Sequence, residues 1–594
     1  MPTAILTGQP VPGSSIEGDL RSLGFDVRTA ADTTEAETLL AAVPGDQRVA
    51  VVDARFVGHP HALRLGLTDP RFPLAAVPGA VTAQPAGRQA LTRAVAREHS
   101  AGGGTTLLDN LADRVVTALD ADGCAVHRPE LGSLVATVPA DPQARNEARQ
   151  AVAAVDDEAV RLKSAVKSRD GFFTTHFISP YSRYIARWCA RRGFTPNQVT
   201  TASLLTALIA AGSAATGTRG GYVVAGVLLL CSFVLDCVDG QIARYALQYS
   251  TLGAWLDATF DRAKEYAYYA GLALGAARGG DDVWALALGA MILQTCRHVV
   301  DFSFNEANHD ATANTSPTAA LSDKLDSVGW TVWVRRMIVL PIGERWAMIA
   351  VLTAVTTPRI TFYVLLVGCA FAATYTTAGR VLRSLTRKAT RTDRAARALA
   401  DLADSGPLAS FVARVSPARL GAPFLIALAG TAVLVATLFS GAAWAPVAGA
   451  FVYAIAAGQA LSHPLKGSLD WLVPPLFRAA EYCTVLILAA KAEVNGALPA
   501  AFGLVAAVAY HHYDTVYRIR GNAGASPAWL VRAIGGHEGR TLLVTVLAAA
   551  LTASQFPVAL TVLAVAVALL VLVESIRFWV SAGAPAVHDE GEPA

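Results

Sequence analysis

Charge is scarce in this chain. Only 16% of its 594 residues are Asp, Glu, Lys or Arg, against 53% hydrophobic, whereas soluble globular domains carry about 25% charge. That deficit excludes a chain folded wholly in water, and a mean hydropathy of +0.40 sets a large part of it against lipid. Cysteine is sparse as well: Cys124, Cys189, Cys231, Cys237, Cys296, Cys369 and Cys483 are scattered, with no Cys-x-x-Cys pair. The scatter excludes a zinc ribbon and a disulfide framework, leaving reduced thiols in apolar surroundings. No secretory leader is expected, because residues 1–8 are too short an apolar stretch and lack a basic flank. The net charge of +3 says little by itself, and no nucleic-acid partner is expected.

What is present changes character along the chain. Residues 1–150 predict a soluble α/β domain, with short apolar strands at 3–6, 49–52 and 74–77 alternating with helix-like segments such as 34–42 and 88–98. Residues 151–195 predict a linker and juxtamembrane helix. In it Arg183, Arg187, Arg191 and Arg192 recur at helical spacing around Ile185 and Trp188. Such a helix lies on anionic headgroups; an ordinary soluble amphipathic helix is the alternative.

Apolar segments of bilayer length, about 20 residues, then follow near 197–217, 221–243, 253–276, 283–303, 345–357 and 360–380. A second set lies near 421–440, 443–461, 473–490, 497–516, 540–553 and 556–577. The expected fold is mainly α: a polytopic membrane bundle of two six-helix repeats behind the soluble domain. The expected divisions are a membrane domain at 196–385, a basic cytoplasmic linker at 386–419, a second bundle at 420–585 and a tail at 586–594. Lys and Arg accumulate on the cytoplasmic side of membranes. Here they gather at Arg191–Arg192, at Arg335, Arg336 and Arg345, from Arg380 through Arg383, Arg387, Lys388, Arg391, Arg394 and Arg397, and at Arg518, Arg520, Arg532 and Arg540. Both termini are therefore expected in the cytoplasm of a cell with this protein in its inner or plasma membrane.

The second and third spans hold acids that lipid does not tolerate without a reason, since an ionised group at bilayer depth costs about 3 kcal/mol even on insertion scales. Asp236 and Asp239 are three apart, and Asp257 and Asp261 are four apart, so each pair shares a helix face. Two antiparallel helices would gather the four carboxylates near the inner surface. Clustered carboxylates repel unless a cation sits among them, and hard oxygen donors suit Mg²⁺, Mn²⁺ or Ca²⁺. Gly240, Ala243 and Gly253 are small enough for a ring or a phosphate to approach the backbone, and Arg244 offers a planar fork for phosphate.

The stretch from Asp236 to Asp261 resembles the signature of the CDP-alcohol phosphotransferase family, D-x₂-D-G-x₂-A-R-x₈-G-x₃-D-x₃-D, with every fixed position and spacing met. The similarity covers about residues 195–385, from Thr195-Pro196-Asn197 onward. The resemblance implies that Asp236, Asp239 and Asp257 bind a pair of divalent ions, Mg²⁺ or Mn²⁺. It implies that Asp261 borders the metals and acts as general base, and that Gly240, Ala243 and Arg244 hold the CDP portion, with Gly253 beside them. A CDP-alcohol donor and an alcohol or phosphoalcohol acceptor are the implied partners, with membrane lipid around them. The out-of-class alternative is a transporter or ion-binding bundle in which the acids pair with Arg244, Arg262 and Lys264. No Ser-His or Cys-His pair lies near the acids, which favours direct displacement over a covalent enzyme intermediate.

An internal repeat emerges when residues 255–266 are laid over 471–482: Trp, Leu, Arg, Ala, Glu and Tyr recur in register, while Asp257 becomes Val473 and Asp261 becomes Phe477. Asp236 and Asp239 fall on Ala454 and Ala457. The second bundle is thus expected to have lost its metal site; a homodimer or an internal pseudo-dimer is the expected assembly. Glu481, His511, His512, Asp514, Tyr517 and Arg518 form a further polar cluster that reads either as a second site or as paired structural groups.

The opening strand Ala4-Ile5-Leu6-Thr7-Gly8 resembles that of nucleotidyltransferase domains fused ahead of some relatives. A phosphate-loading loop needs closely spaced glycines and backbone donors, whereas Pro10 and Pro12 remove donors here. A vestigial domain without that activity is expected. Residues 166–173 resemble the approach to bundles that transfer inositol-phosphate-type groups, which implies a polyol phosphate substrate, with CDP-diacylglycerol and a polar alcohol as the alternative. Arg297, Arg335, Arg336 and Arg345 are the candidates to hold its phosphate.

Overall fold

The computed structural model describes residues 2–101, 110–167, 170–311, 333, 337–386, 389–416 and 421–581. Arg335, Arg336, Arg387 and Lys388 lie outside the described residues.

The N-terminal region is an α/β domain. Its elements are β1 (Thr3–Thr7), α1 (Ile16–Ser22), β2 (Asp26–Ala30), α2 (Thr33–Ala42), β3 (Val49–Asp53), β4 (Val57–Gly58), α3 (Pro60–Leu67), β5 (Leu74–Val77), β6 (Ala80–Ala83), α4 (Arg88–Ala101), α5 (Leu111–Ala121), β7 (Ala136–Thr137) and α6 (Pro142–Ala153). The five-stranded sheet runs β2-β1-β3-β6-β5. β1 pairs in parallel with β2 and β3, and β6 pairs antiparallel with β3 and β5. The apolar strands β1 and β3 are buried along their whole length, as central strands covered on both faces are.

Two short elements, α7 (Asp157–Ser164) and α8 (Ser179–Arg191), join this domain to the membrane region. α8 exposes Tyr184 and Trp188 beside Arg187 and Arg191. Arg161 of α7 lies 3.6 Å over the Tyr245 ring and donates to the Tyr245 carbonyl at 2.8 Å. Arg71, at the end of the soluble domain's α3–β5 connection, lies 4.0 Å over the Tyr249 ring. The soluble domain is therefore fastened to the turn that follows the first acidic pair.

The first bundle consists of α9 (Pro196–Ala215), α10 (Arg219–Ala246), α11 (Thr251–Arg278), α12 (Trp284–Asn308), α13 (Ile342–Val355) and α14 (Pro358–Thr386). Thr195 and Gln198 form a capping box at the start of α9, with Pro196 in its first turn. Ser250 caps α11 through the Gly253 N–H at 2.9 Å. Gly271 and Gly275 of α11 leave no room for a Cβ against the Ala211 and Ala214 carbonyls, which lets α9 and α11 approach closely.

Residues 386–419, expected as a basic linker, instead contain α15 (Asp393–Ala403) and α16 (Pro407–Val415), folded onto the second bundle. α15 holds only Arg394 and Arg397 of the basic run. Its apolar face carries Ala395, Ala398, Leu399 and Leu402, all buried. The second bundle continues with α17 (Pro423–Leu438), α18 (Ala445–Leu461), α19 (Val473–Lys491), α20 (Ala497–Arg520), α21 (Ala528–Ala533), α22 (Gly536–Ala550) and α23 (Gln555–Ser581). Among the described residues, setting aside the short α21, six long helices follow six. Among the described residues five helices are long and apolar enough to cross a membrane, and α17 and α18 are shorter apolar helices. The protein is a multi-pass membrane protein.

Candidate active site

α10 ends and α11 begins within a four-residue connection, and this hairpin carries the whole acidic constellation. Asp236, Asp257 and Asp261 each present a carboxylate oxygen, and the three oxygens lie within 4.8 Å of one another. Asp239 stands apart from that trio: it is buried, and its Oδ2 accepts from Thr200 Oγ1 at 2.6 Å. All four expected acids are therefore on one hairpin, three of them converging and the fourth held by a hydroxyl of α9.

A cation is already present. Lys264, one turn beyond Asp261 and fully buried, donates from Nζ to Asp236 Oδ1 and, at 3.2 Å, to Ser203 Oγ. It also lies 2.8 Å from Asp261 Oδ1. That same Asp261 oxygen is buried and accepts no well-aligned hydrogen bond. One ammonium balances one of the clustered carboxylates at most. The hard oxygen donors and the negative charge left in excess of one ammonium fit a divalent ion. Lys264→Met removes the group that spans Asp236 and Asp261, and the affinity of the cluster for a divalent ion, read by metal titration, is expected to fall by about ten- to a hundredfold, the usual effect of losing a ligand's supporting partner.

The small residues divide. The Arg244 guanidinium lies 3.5 Å from where a Gly240 Cβ would stand, and Arg244 Nε donates to the Ala165 carbonyl at 2.6 Å. The segment after α7 thus aims Arg244 across Gly240, with half-buried Ala243 next to it. At Gly253 the missing Cβ is replaced by Asn197 Oδ1 at 2.7 Å and Ser250 Oγ at 2.8 Å. Gly253 thereby admits Asn197 of α9 to the hairpin.

Arg262 points away from the acids, to Glu265 at 2.9 Å. Arg345, expected as a phosphate ligand, is buried against Glu265 at 3.2 Å, a carboxylate that it shares with Arg262. Arg297 donates from Nη2 to the Val339 carbonyl, and its buried Nη1 has no partner among the described residues. In the polar cluster of the second bundle four of the six residues are paired, while both ring nitrogens of buried His512 have no partner among the described residues. His511 meets Asp404 at 3.0 Å, Glu481 meets Arg478 and Arg540 at 3.1 and 2.6 Å, and Arg518 meets Asp514 at 2.8 Å. Sequence reading placed Lys264 beside the acids only in the transporter-like alternative, and it passed over Thr200. The i,i+3 spacing of Asp261 and Lys264 was a usable signal; nothing local marks Thr200.

Residues 194–372 match the sequence model of the CDP-alcohol phosphatidyltransferase family. Residues 393–594 match that of a family of unknown function, DUF5941, whose start coincides with α15. A bifunctional IPC transferase and DIPP synthase of Aquifex aeolicus is 34% identical over 118 residues, 19% of this chain and 26% of that protein. A phosphatidylinositol phosphate synthase of Streptomyces avermitilis is 32% identical over 130 residues, 21% of this chain and 51% of that protein. An archaetidylinositol phosphate synthase of Pyrococcus horikoshii is 30% identical over 113 residues, 19% of this chain and 58% of that protein. The chain thus spans from about a quarter to just over half the length of these curated relatives.

Proposed function

We propose that this chain, which carries a CDP-alcohol phosphatidyltransferase domain at residues 194–372, moves a phosphoalcohol group from a CDP-alcohol to an acceptor hydroxyl and releases CMP. The carrying observation is the convergence of Asp236, Asp257 and Asp261 within 4.8 Å on the α10–α11 hairpin inside that domain. Asp236, Asp257 and Asp261, with Asp239 behind them, are the residues that would hold one or two divalent ions. Such ions would supply charge neutralisation on the pyrophosphate.

The chain's own groups account for the rest. The carboxylate of Asp261, whose Oδ1 lies 2.8 Å from Lys264 Nζ, receives the proton of the attacking hydroxyl. The acceptor oxygen bonds to the phosphorus bearing the alcohol, the bond from that phosphorus to the CMP oxygen breaks, and CMP departs with the electron pair. Arg244, held across Gly240, orients the nucleotide phosphates. The site faces the cytoplasm of the cell membrane, a placement supported by its position beneath the soluble domain through the Arg71–Tyr249 contact.

The acceptor is a phosphorylated polyol of the inositol-phosphate type. The names of the relatives support this, as does Arg297, whose buried Nη1 has no partner among the described residues. The N-terminal domain serves as a docking element over the hairpin rather than as a nucleotidyltransferase.

Two experiments test this reading. Purified protein in lipid nanodiscs is supplied with a panel of CDP-linked donors and polyol or polyol-phosphate acceptors, with CMP and product mass as readouts. A failure to release CMP with every donor tried would return the acidic cluster to an ion-carrying role. Stripping divalent ions with EDTA is expected to bring CMP release to background, and Mg²⁺ or Mn²⁺ to restore it; undiminished turnover after chelation removes the metal from the mechanism.

A further inference from the structure

The two bundles share more than helix order. In the first, Arg262 and Glu265 of the third helix pair at 2.9 Å, and Arg345 of the fifth helix joins Glu265 at 3.2 Å. In the second, Arg478 and Glu481 of the third helix pair at 3.1 Å, and Arg540 of the fifth joins Glu481 at 2.6 Å. Glu344, at the start of the first bundle's fifth helix, accepts from the Phe173 N–H at 3.2 Å. Glu538, at the same place in the second, accepts from the Gly406 and Ala409 N–H groups at 3.0 and 3.1 Å. In each bundle an Asp of the fourth helix bonds to the sixth: Asp301 to Arg380, and Asp514 to Ser575 and Trp579.

The shared frame ends at the acids. The matched positions Ala454, Ala457, Val473 and Phe477 are buried. Phe477 stacks on His537 with ring centres 4.3 Å apart, and α16 lies so close to Gly458 that a Cβ there would meet Val412 and the Ala409 carbonyl. Where the first bundle gathers carboxylates, the second is filled with side chains.

The filled bundle nevertheless touches the helix that carries Asp257 and Asp261. The Tyr513 ring of α20 lies 5.0 Å from the Arg262 guanidinium, and the His298 ring of α12 stands against that Tyr513 at 5.3 Å. Trp579 of α23 stacks on Trp255 of α11 at 6.2 Å, with its indole N–H bound to Asp514 at 2.7 Å. These contacts bracket the α11 segment from Trp255 to Arg262. Arg262 is adjacent to Asp261 in the chain, and a guanidinium over an aromatic face in a dry interior is a strong local restraint.

We propose that the second bundle is a remodelled, inactive copy of the first that works as a built-in partner, and that its Tyr513 is a positioning residue for the transfer reaction through Arg262. The inference rests on the functional reading above. An error of a fraction of an ångström at a reacting group lowers kcat while substrate binding survives.

The test uses the full chain in nanodiscs. Tyr513→Met keeps much of the volume and loses the ring; kcat for CMP release is expected to fall by about tenfold, with donor KM within about twofold of wild type. Tyr513→Phe keeps the ring and is expected to retain most of kcat. On an Arg262→Gln background, itself reduced in kcat, Tyr513→Met should add little, because the two residues act through one contact. If Tyr513→Met does not accumulate as folded protein, the Phe variant and Arg262→Gln still decide the matter. A Phe variant as slow as Arg262→Gln overturns the ring's role, and a wild-type kcat in Arg262→Gln overturns the pathway. A folded Tyr513→Met protein with wild-type kcat, or losses that simply add in the double variant, also overturn it. If the unaltered chain releases no CMP, the functional reading and this inference fall together; if it turns over normally and Tyr513 is immaterial, only the inference falls.

Discussion

Asp261→Asn is expected to lower the rate of CMP release by about a thousandfold at saturating donor and acceptor, with the protein folded and lipid-embedded as before. The change is isosteric and removes only the charge and the basicity. A well-placed general base contributes about 10²–10⁴ in rate, and Asp261 also borders the converging oxygens of Asp236 and Asp257. Folding should survive because Lys264 keeps Asp236 and Ser203 as partners. The informative comparison is Asp257→Asn, in which a metal ligand is weakened and the base is kept. Raising Mg²⁺ should recover much of the Asp257→Asn activity and little of the Asp261→Asn activity. Recovery of Asp261→Asn by metal alone would make Asp261 a ligand and require another proton acceptor.

The second large effect is expected far from the chemistry. Asp404→Ala should destabilise the second bundle by about 3–5 kcal/mol, the usual result of stranding buried charges. Asp404 lies in the connection between α15 and α16 and is buried. It faces Arg478 at 3.0 Å, Arg540 at 2.8 Å and His511 at 3.0 Å. Without it the two guanidinium groups share Glu481 alone. The expected readout is a lower melting temperature of the detergent-solubilised protein and less folded protein in membranes, with metal titration of the surviving fraction unchanged. An unaltered melting temperature would mean that the network is solvated or rearranges without cost.

The two predictions also separate what could be read from the chain from what could not. The acidic signature and its placement at the ends of two spans were legible, because i,i+3 and i,i+4 spacings fix a shared helix face whatever the helix packs against. The α/β character of the front end was legible from short apolar strands bounded by turn residues. The alignment that pairs Arg262 with Arg478 and Glu265 with Glu481 was legible too, although it gave no hint that Arg345 and Arg540 complete each group. The reading of residues 386–419 as a linker failed for a definable reason. The basic run from Arg380 to Arg397 outweighed the Ala and Leu positions of α15, which itself holds only Arg394 and Arg397, and Asp404 showed its worth only through partners as distant as Arg540, 136 residues along the chain.

By itself, then, the sequence determined a mainly helical, membrane-embedded chain behind an α/β domain, with four acids on one helical hairpin. Helix geometry and the intolerance of lipid for charge act locally, so local spacing carries them. Only the tertiary structure decided that Asp236, Asp257 and Asp261 converge while Asp239 is held by Thr200, that Lys264 spans two of the acids, and that Tyr513 of the second bundle lies over Arg262. Those outcomes depend on how helices distant in sequence rotate and approach. That is fixed by close packing at positions such as Gly271 and Gly275, and by ion pairs between helices that no periodicity in the chain encodes.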